Sequence, residues 1–245
     1  MRNRLVALLA AAASLGAAPA AFAADLPVKA PPPAEVVAVS WSGVYVGGHA
    51  GYAWGRNRWT FPFGEFYNTA PGENFSTRPR GFVGGVHVGY NHQMGNWVVG
   101  VEGSYDPTRI SQTLVGPVTP AFPADSFKTS VRDLATATVR LGYANGPWLG
   151  YVKGGWASAN LKLDVVSGPP GAGVVASVDK RRHGGTVGVG AEYMVMSHLI
   201  LGVEYDYVRL QSASFNSVTS VGGPFNINSS HIDMHMVMGR ASVKY

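Results

Sequence analysis

The chain contains no cysteine. Disulfides, thiolate metal sites and thiol nucleophiles are therefore excluded, while the compartment stays open, because an oxidising space permits disulfides without requiring them. Charge is scarce as well. Asp, Glu, Lys and Arg make up 13% of the 245 residues, about half the usual share of ~25%. With 46% hydrophobic residues beside so little charge, the chain is not disordered, and a soluble helical enzyme is disfavoured because its solvated faces need charge. Past the first segment no apolar run reaches the ~18 residues of a transmembrane helix. What is abundant is glycine, 32 residues. That is about 13% against ~7% on average, a composition helices tolerate poorly.

The first residues read as an address. Arg2 and Arg4 give a basic start, Leu5 to Ala13 an apolar core, and Ala21-Phe22-Ala23 a small-x-small cleavage site. Together they make a secretory signal peptide, residues 1–23, whose core is too short to anchor in a ~30 Å hydrocarbon layer. Its removal takes away Arg2 and Arg4 and lowers the formal net charge from +5 to +3. The basic balance is thus no argument for a nucleic-acid partner, and none is expected. Residues 24–40, with Pro27 and Pro31 to Pro33, form an extended periplasmic leader. Residues 41–245 form the folded domain.

In that domain eight segments alternate with period two: 43–55, 82–93, 97–106, 133–143, 148–162, 184–195, 199–210 and 232–245. Met94-Gly95-Asn96, Asn145-Gly146-Pro147 and Met196-Ser197-His198 are tight links. Between them lie four long connections, 56–81, 107–132, 163–183 and 211–231, read as structureless. Compact soluble domains rarely carry several such loops. A barrel of the outer membrane does, with short periplasmic turns and long external loops.

Each segment has one apolar face and one mixed face. In 97–106, Trp97, Val99, Val101, Gly103 and Tyr105 oppose Val98, Gly100, Glu102, Ser104 and Asp106; in 199–207, Leu199, Leu201, Val203, Tyr205 and Tyr207 oppose Ile200, Gly202, Glu204 and Asp206. The aromatic residues gather at the ends of the apolar face. Tyr90, Trp97, Tyr143, Trp148, Tyr193 and Tyr245 sit by the tight turns. Tyr52, Trp54, Tyr105, Trp156, Tyr205 and Tyr207 sit towards the long loops. Two such rings suit two membrane interfaces, and ten residues at ~3.3 Å tilted by ~40° span about 25 Å. A soluble barrel with its apolar face inward is the competing reading, but it leaves the segregated aromatics unexplained. The fold expected is all-β, an eight-stranded antiparallel transmembrane up-and-down β-barrel.

Eight strands enclose a space just wide enough for side chains to fill. Inward glycines leave room for Glu102, Glu192, Glu204, Asp106 and Asp206, opposed by Arg140, Lys153, Arg240 and Lys244. Counted from the nearest tight turn or the C-terminus, Glu102, Arg140, Lys153, Glu192, Glu204 and Arg240 lie four to six residues up. They are expected to share one layer as an ion-pair network that plugs the barrel. Gly154-Gly155 allows a bulge that would turn Lys153 away. The same charges also suit an ion-selective constriction.

No catalytic constellation stands out, and neither a metal nor a cofactor is expected. His231 and His235 would lie ~13 Å apart on a strand, too far to share an ion. His49 and His87 read as lumen filling. Gly168-Pro169-Pro170-Gly171 lacks the Lys and Ser/Thr of a phosphate loop. In the loops, Arg78, Arg80, Lys180, Arg181 and Arg182 are candidates for contact with lipopolysaccharide phosphates, or else form an ordinary solvated basic surface.

Several stretches resemble a known family. Trp41 to Gly55 (WSGVYVGGHAGYAWG) is similar to the first strand of the alphaproteobacterial porin-family outer-membrane surface antigens, small OmpA-like barrels. So are Ala24-Asp25-Leu26-Pro27, Arg140-Leu141-Gly142-Tyr143 and Val187 to Tyr193 (VGVGAEY). The resemblance implies an abundant, often immunogenic eight-stranded barrel in the cell outer membrane. It also implies that Val243 and the terminal aromatic Tyr245 serve as the C-terminal signal for the barrel-assembly machinery. Arg240 stands where the family often has glycine. The expected role is structural, in membrane integrity and surface display. The alternatives are a narrow passive porin for small solutes and an adhesin acting through the long loops. A monomer in contact with outer-membrane lipid and lipopolysaccharide is the expected state.

Overall fold

The computed structural model describes residues 39–60, 74–115, 126–166, 174–218 and 224–245. The signal peptide and nearly all of the leader lie outside the described residues. Among the described residues eleven strands form in chain order: β1 (Gly43–Thr60), β2 (Asn74–Thr77), β3 (Arg80–Met94), β4 (Trp97–Val115), β5 (Ser126–Asn145), β6 (Trp148–Val166), β7 (Val174–Met196), β8 (Leu199–Leu210), β9 (Ala213–Val218), β10 (Pro224–Ser229) and β11 (Ile232–Lys244). Eight of them make a ring in the order β1-β3-β4-β5-β6-β7-β8-β11, each antiparallel to the next, and β11 closes it by pairing with β1 from Tyr45↔Lys244 to Arg56↔Asp233. Closure leaves the ring without a free edge, which a sheet in hydrocarbon requires because no water is there to satisfy an edge.

Local chemistry fixes the hairpins. Gly95 and Gly146 have φ of +63° and +58° in the β3–β4 and β5–β6 turns. Gly146 is followed by Pro147, whose ring holds φ near ~−65°. A positive φ followed by a negative one is the type II′ pattern, which matches the twist of paired strands.

The long connections carry more β-structure than their sequence suggested. β4 and β5 stay paired out to Val115↔Ser126, and β6 and β7 out to Val166↔Val174. β2 pairs with the end of β1, and the β9–β10 hairpin joins that end at Trp59↔Ser229. In these extensions one face stays buried, at Asn57, Trp59, Thr77, Thr129, Leu161 and Leu163, but it mixes polar with apolar residues, so the apolar alternation of the sequence is blurred although the backbone still pairs. Register shifts between Pro107 and Ile110 and between Val131 and Asp133 mark where β4 and β5 leave the regular barrel. Pro107 has no N–H for the ladder there.

The outer wall is apolar. Val187 and Val203 are about 60% exposed, at 58% and 62%, while Glu192 and Glu204 beside them are buried. That orientation discards the soluble barrel with an apolar interior. Trp97, Tyr143, Trp148 and Tyr193 ring the lower edge of the wall, and Tyr52, Trp54, Tyr105 and Trp156 the upper edge, all exposed. Edge-to-face packing of Trp97 on Tyr143, with centroids 5.5 Å apart, ties neighbouring strands within the lower ring.

Two apolar clusters fill parts of the interior. Below, Trp41 is fully buried with Val98, Ala144, Leu149, Tyr151, Met194 and Ile200. Its indole N–H donates to the Gly146 carbonyl at 3.2 Å, and its backbone N–H donates to Gln93 Oε1 at 2.7 Å. Above, Met234, Met236 and Met238 of β11 pack with Ala53, Val83, Ile110, Leu134 and Val208. The lumen thus has greasy layers as well as polar ones.

Candidate functional site

Between the apolar clusters lies an ionic layer. Arg140 donates through Nη1 to Glu102 Oε2 at 3.3 Å and through Nη2 to Glu192 Oε2 at 2.9 Å. Lys153 Nζ reaches Glu204 at 2.7 Å, Asp206 at 3.1 Å and Glu102 at 3.5 Å. Arg240 pairs with Glu102 and Glu204, and its Nε lies 3.6 Å from Glu192. The six lumen residues read from the sequence therefore meet in one layer, and all six are buried. The β5–β6 register runs unbroken from Arg140↔Lys153 to Ala137↔Trp156, so Gly154-Gly155 carries no bulge and Lys153 points inward.

The layer holds three residues that the six did not include. Asp206 joins through Lys153. Tyr45 accepts from Arg140 Nη1 at 2.8 Å and donates to Glu102 at 2.9 Å, while Tyr151 donates to Glu204 at 2.5 Å. The Arg140 guanidinium also lies 3.8 Å from the centre of the Tyr151 ring, a cation–π contact. Inward glycines make the room. A Cβ at Gly202 would lie 2.7 Å from Glu192 Cγ, and one at Gly190 would collide with the Tyr151 ring.

A second polar group involves Asp106. His49 Nε2 contacts Asp106 Oδ1, His49 Nδ1 faces His87 Nδ1 at 3.1 Å, and His87 Nε2 meets Ser242 Oγ at 2.8 Å. The two imidazoles are near coplanar, 23° apart with centroids at 5.4 Å, so the facing nitrogens meet edge to edge along one line. An N–H of one ring aimed at the lone pair of the other makes a hydrogen bond; a shared metal needs two lone pairs that converge at an angle. Among the described residues no group of three metal-ligating side chains occurs. With both rings neutral the chain has a single sense: Ser242 donates to His87, His87 to His49 and His49 to Asp106. Lys244, read as a lumen cation, is instead at the lower rim, with Nζ on the Ser40 carbonyl and 3.4 Å from that of Ser42. Val243 and Tyr245 are exposed on the outer wall beside β1.

The loop cations divide into two groups. Arg182 points inward, is buried, and donates to the Ser229 carbonyl at 3.2 Å. Burial lowers its guanidinium to about 10. Lys180 and Arg181 are exposed but held, Lys180 on the Ser214 carbonyl at 3.4 Å and Arg181 on Asp133 at 3.1 Å. Arg78 and Arg80 are exposed on the outer wall.

Residues 7–230 match the family of the outer membrane protein beta-barrel domain. The chain belongs to that family. It is 33% identical over 199 residues to a 31 kDa outer-membrane immunogenic protein of Brucella melitensis, covering 79% of this chain and 82% of that one. A 25 kDa outer-membrane immunogenic protein of Brucella canis is 28% identical, covering 88% and 89%. Among solved structures, Neisserial surface protein A has a TM-score of 0.40 at 16% identity, covering 83% of this chain and 98% of that one. This outer membrane protein beta-barrel therefore resides in the cell outer membrane, with tight turns on the periplasmic side and long connections outside. A 22 kDa outer membrane protein of Rhizobium leguminosarum is a further relative, 30% identical over 179 residues.

Proposed function

We propose that this outer-membrane barrel is a non-conducting structural protein that supports membrane integrity and displays its external strands at the surface. The observation that carries the reading is the order of layers along the lumen: buried Trp41 and its apolar neighbours, then the Arg140–Glu102–Arg240–Lys153 network, then the methionine cluster. A pore needs a continuous wet path. Here each charge has an opposite partner, and greasy side chains lie to either side. The Ser242–His87–His49–Asp106 chain has the polarity of a hydrolytic relay, but Ser242 is only 3% exposed. A nucleophile must be reached by substrate, so the chain braces the wall between β1, β3, β4 and β11. Single-channel recording on the refolded full-length mature protein tests the reading. The expected trace has no discrete conductance steps; reproducible ohmic steps assign a porin instead.

A further inference from the structure

The loop cations divide by whether anything answers their charge. On the β5–β7 side, Arg132 pairs with Asp179 at 3.0 Å and Arg181 with Asp133 at 3.1 Å. On the β3–β1–β11–β8 side the balance differs. Arg56, Arg58, Arg78, Arg80 and Arg209 all project from the outer wall. Among the described residues the one carboxylate on the outer face of those strands is Asp233, which accepts from Tyr207 at 2.5 Å and lies 3.7 Å from Arg209. The adjoining connection, 61–73, adds two glutamates, Glu65 and Glu73, to set against those arginines.

The register makes the imbalance local. Trp54 pairs with Arg80 and Asn57 with Thr77, which sets Arg56 beside Arg78 on one face. Like charges side by side on neighbouring strands repel and are destabilising. Neither arginine forms an ion pair among the described residues. Both line a groove of about 500 Å³ with Trp54, Gly55, Tyr207, Asp233 and His235. The groove's floor is aromatic and already hydrogen-bonded. Trp54 stacks on His235 at 5.8 Å and 17°, and His235 Nδ1 meets the Tyr205 hydroxyl at 2.7 Å. Asp233, the cross-strand partner of Arg56, is engaged by the Tyr207 hydroxyl, which leaves one carboxylate in the groove against two guanidinium groups.

Their height selects the ligand. Trp54 belongs to the upper aromatic ring, and Arg56 stands two residues further out, about 5 Å above it at ~3.3 Å per tilted residue. That is the level of headgroups in the outer leaflet. We propose that this groove binds a phosphate of an outer-leaflet phosphoglycolipid of the lipid A type. The Arg56 and Arg78 guanidiniums clamp the phosphate, while Trp54 and Tyr207 flank the sugar and upper acyl carbons. Arginine suits the task through its planar, bidentate fork. The paired cations Lys180 and Arg181 take no part. The assignment rests on the outer-membrane location and not on the sealed lumen, so either fails without the other.

The test uses refolded full-length mature protein in neutral detergent, titrated with bis-phosphorylated lipid A and with the same lipid stripped of phosphate. Wild type binds the phosphorylated lipid about tenfold more tightly or better. Arg56→Gln/Arg78→Gln loses about tenfold, whereas Lys180→Gln/Arg181→Gln, with the same change in charge, stays within about twofold. Without lipid the Arg56→Gln/Arg78→Gln protein melts no lower than wild type, because a repulsion has been removed. Should it fail to fold, Arg56→Gln alone is measured, with about a fivefold loss expected. Equal affinity for the two lipids overturns the proposal, and so does equal loss in the two double variants. Displacement of the lipid by inorganic phosphate at matched concentration also overturns it, since the site then serves a soluble anion.

Discussion

Arg240 on β11 and Glu102 on β4 meet across the lumen, three steps apart around the ring. A contact of that reach fixes the barrel's cross-section in a way that neighbouring-strand hydrogen bonds do not. It also places Arg240 at the centre of the charge balance.

Losing one partner of that layer is costly. Arg140→Ala strands Glu192, whose remaining cation is Arg240 at 3.6 Å. The expected loss in unfolding free energy is about 3–5 kcal/mol. Arg58→Ala, on the exposed upper wall, stays within about 0.5 kcal/mol. Urea unfolding of the refolded protein in lipid vesicles measures both.

The glycine at position 190 is set by its neighbour. A Cβ there would lie 2.8 Å from Tyr151 Cε1 and closer still to the ring's hydroxyl end, displacing the group that donates to Glu204. Gly190→Ala is expected to cut the refolded yield sharply, while Gly150→Ala, where a Cβ meets nothing within 4 Å, leaves it unchanged. Heat-modifiable migration on a gel reports the folded fraction.

The histidine chain predicts unequal costs at its two ends. Ser242→Ala removes one neutral hydrogen bond and costs about 1 kcal/mol. His49→Ala leaves the buried Asp106 with the Ser104 hydroxyl at 3.4 Å. It costs about 3 kcal/mol or more, as expected for an unpartnered buried charge. Equal losses in urea unfolding contradict the ordering.

The outer wall is tested by depth. Val203→Arg, mid-height on the lipid face, costs about 2–4 kcal/mol, whereas Trp54→Arg at the upper interface costs about 0–1 kcal/mol in charge placement beyond its lost packing. The same urea titration, repeated in vesicles, separates the two.

Strand positions, face assignment and the ionic layer are legible in the sequence because alternation and aromatic placement report burial directly. The apolar layers are not. Trp41 lies before β1 and outside the alternation, and Met234 and Met236, although on the same strand face as Arg240, carry no polarity that marks them as lumen-facing. Asp106 and Asp206 both read as inward carboxylates, but Asp106 stands one inward step further from its tight turn than Asp206. Asp206 therefore joins Lys153 and Asp106 meets His49. The external β-structure escapes detection because its inward face carries polar residues such as Thr129, buried between Lys128 and Ser130, in place of a regular apolar face.

The sealed lumen is tested most directly by thiol accessibility, because the chain has no cysteine of its own. Single Thr138→Cys and Thr186→Cys variants place a thiol at buried inward positions, and Asn96→Cys places one in the β3–β4 turn. A small charged thiol reagent is applied to the refolded protein in detergent, where both ends of the barrel are open to it. The account predicts rapid labelling at position 96 and none at 138 or 186 over the same time. Labelling of 138 and 186 at the rate of 96 contradicts it.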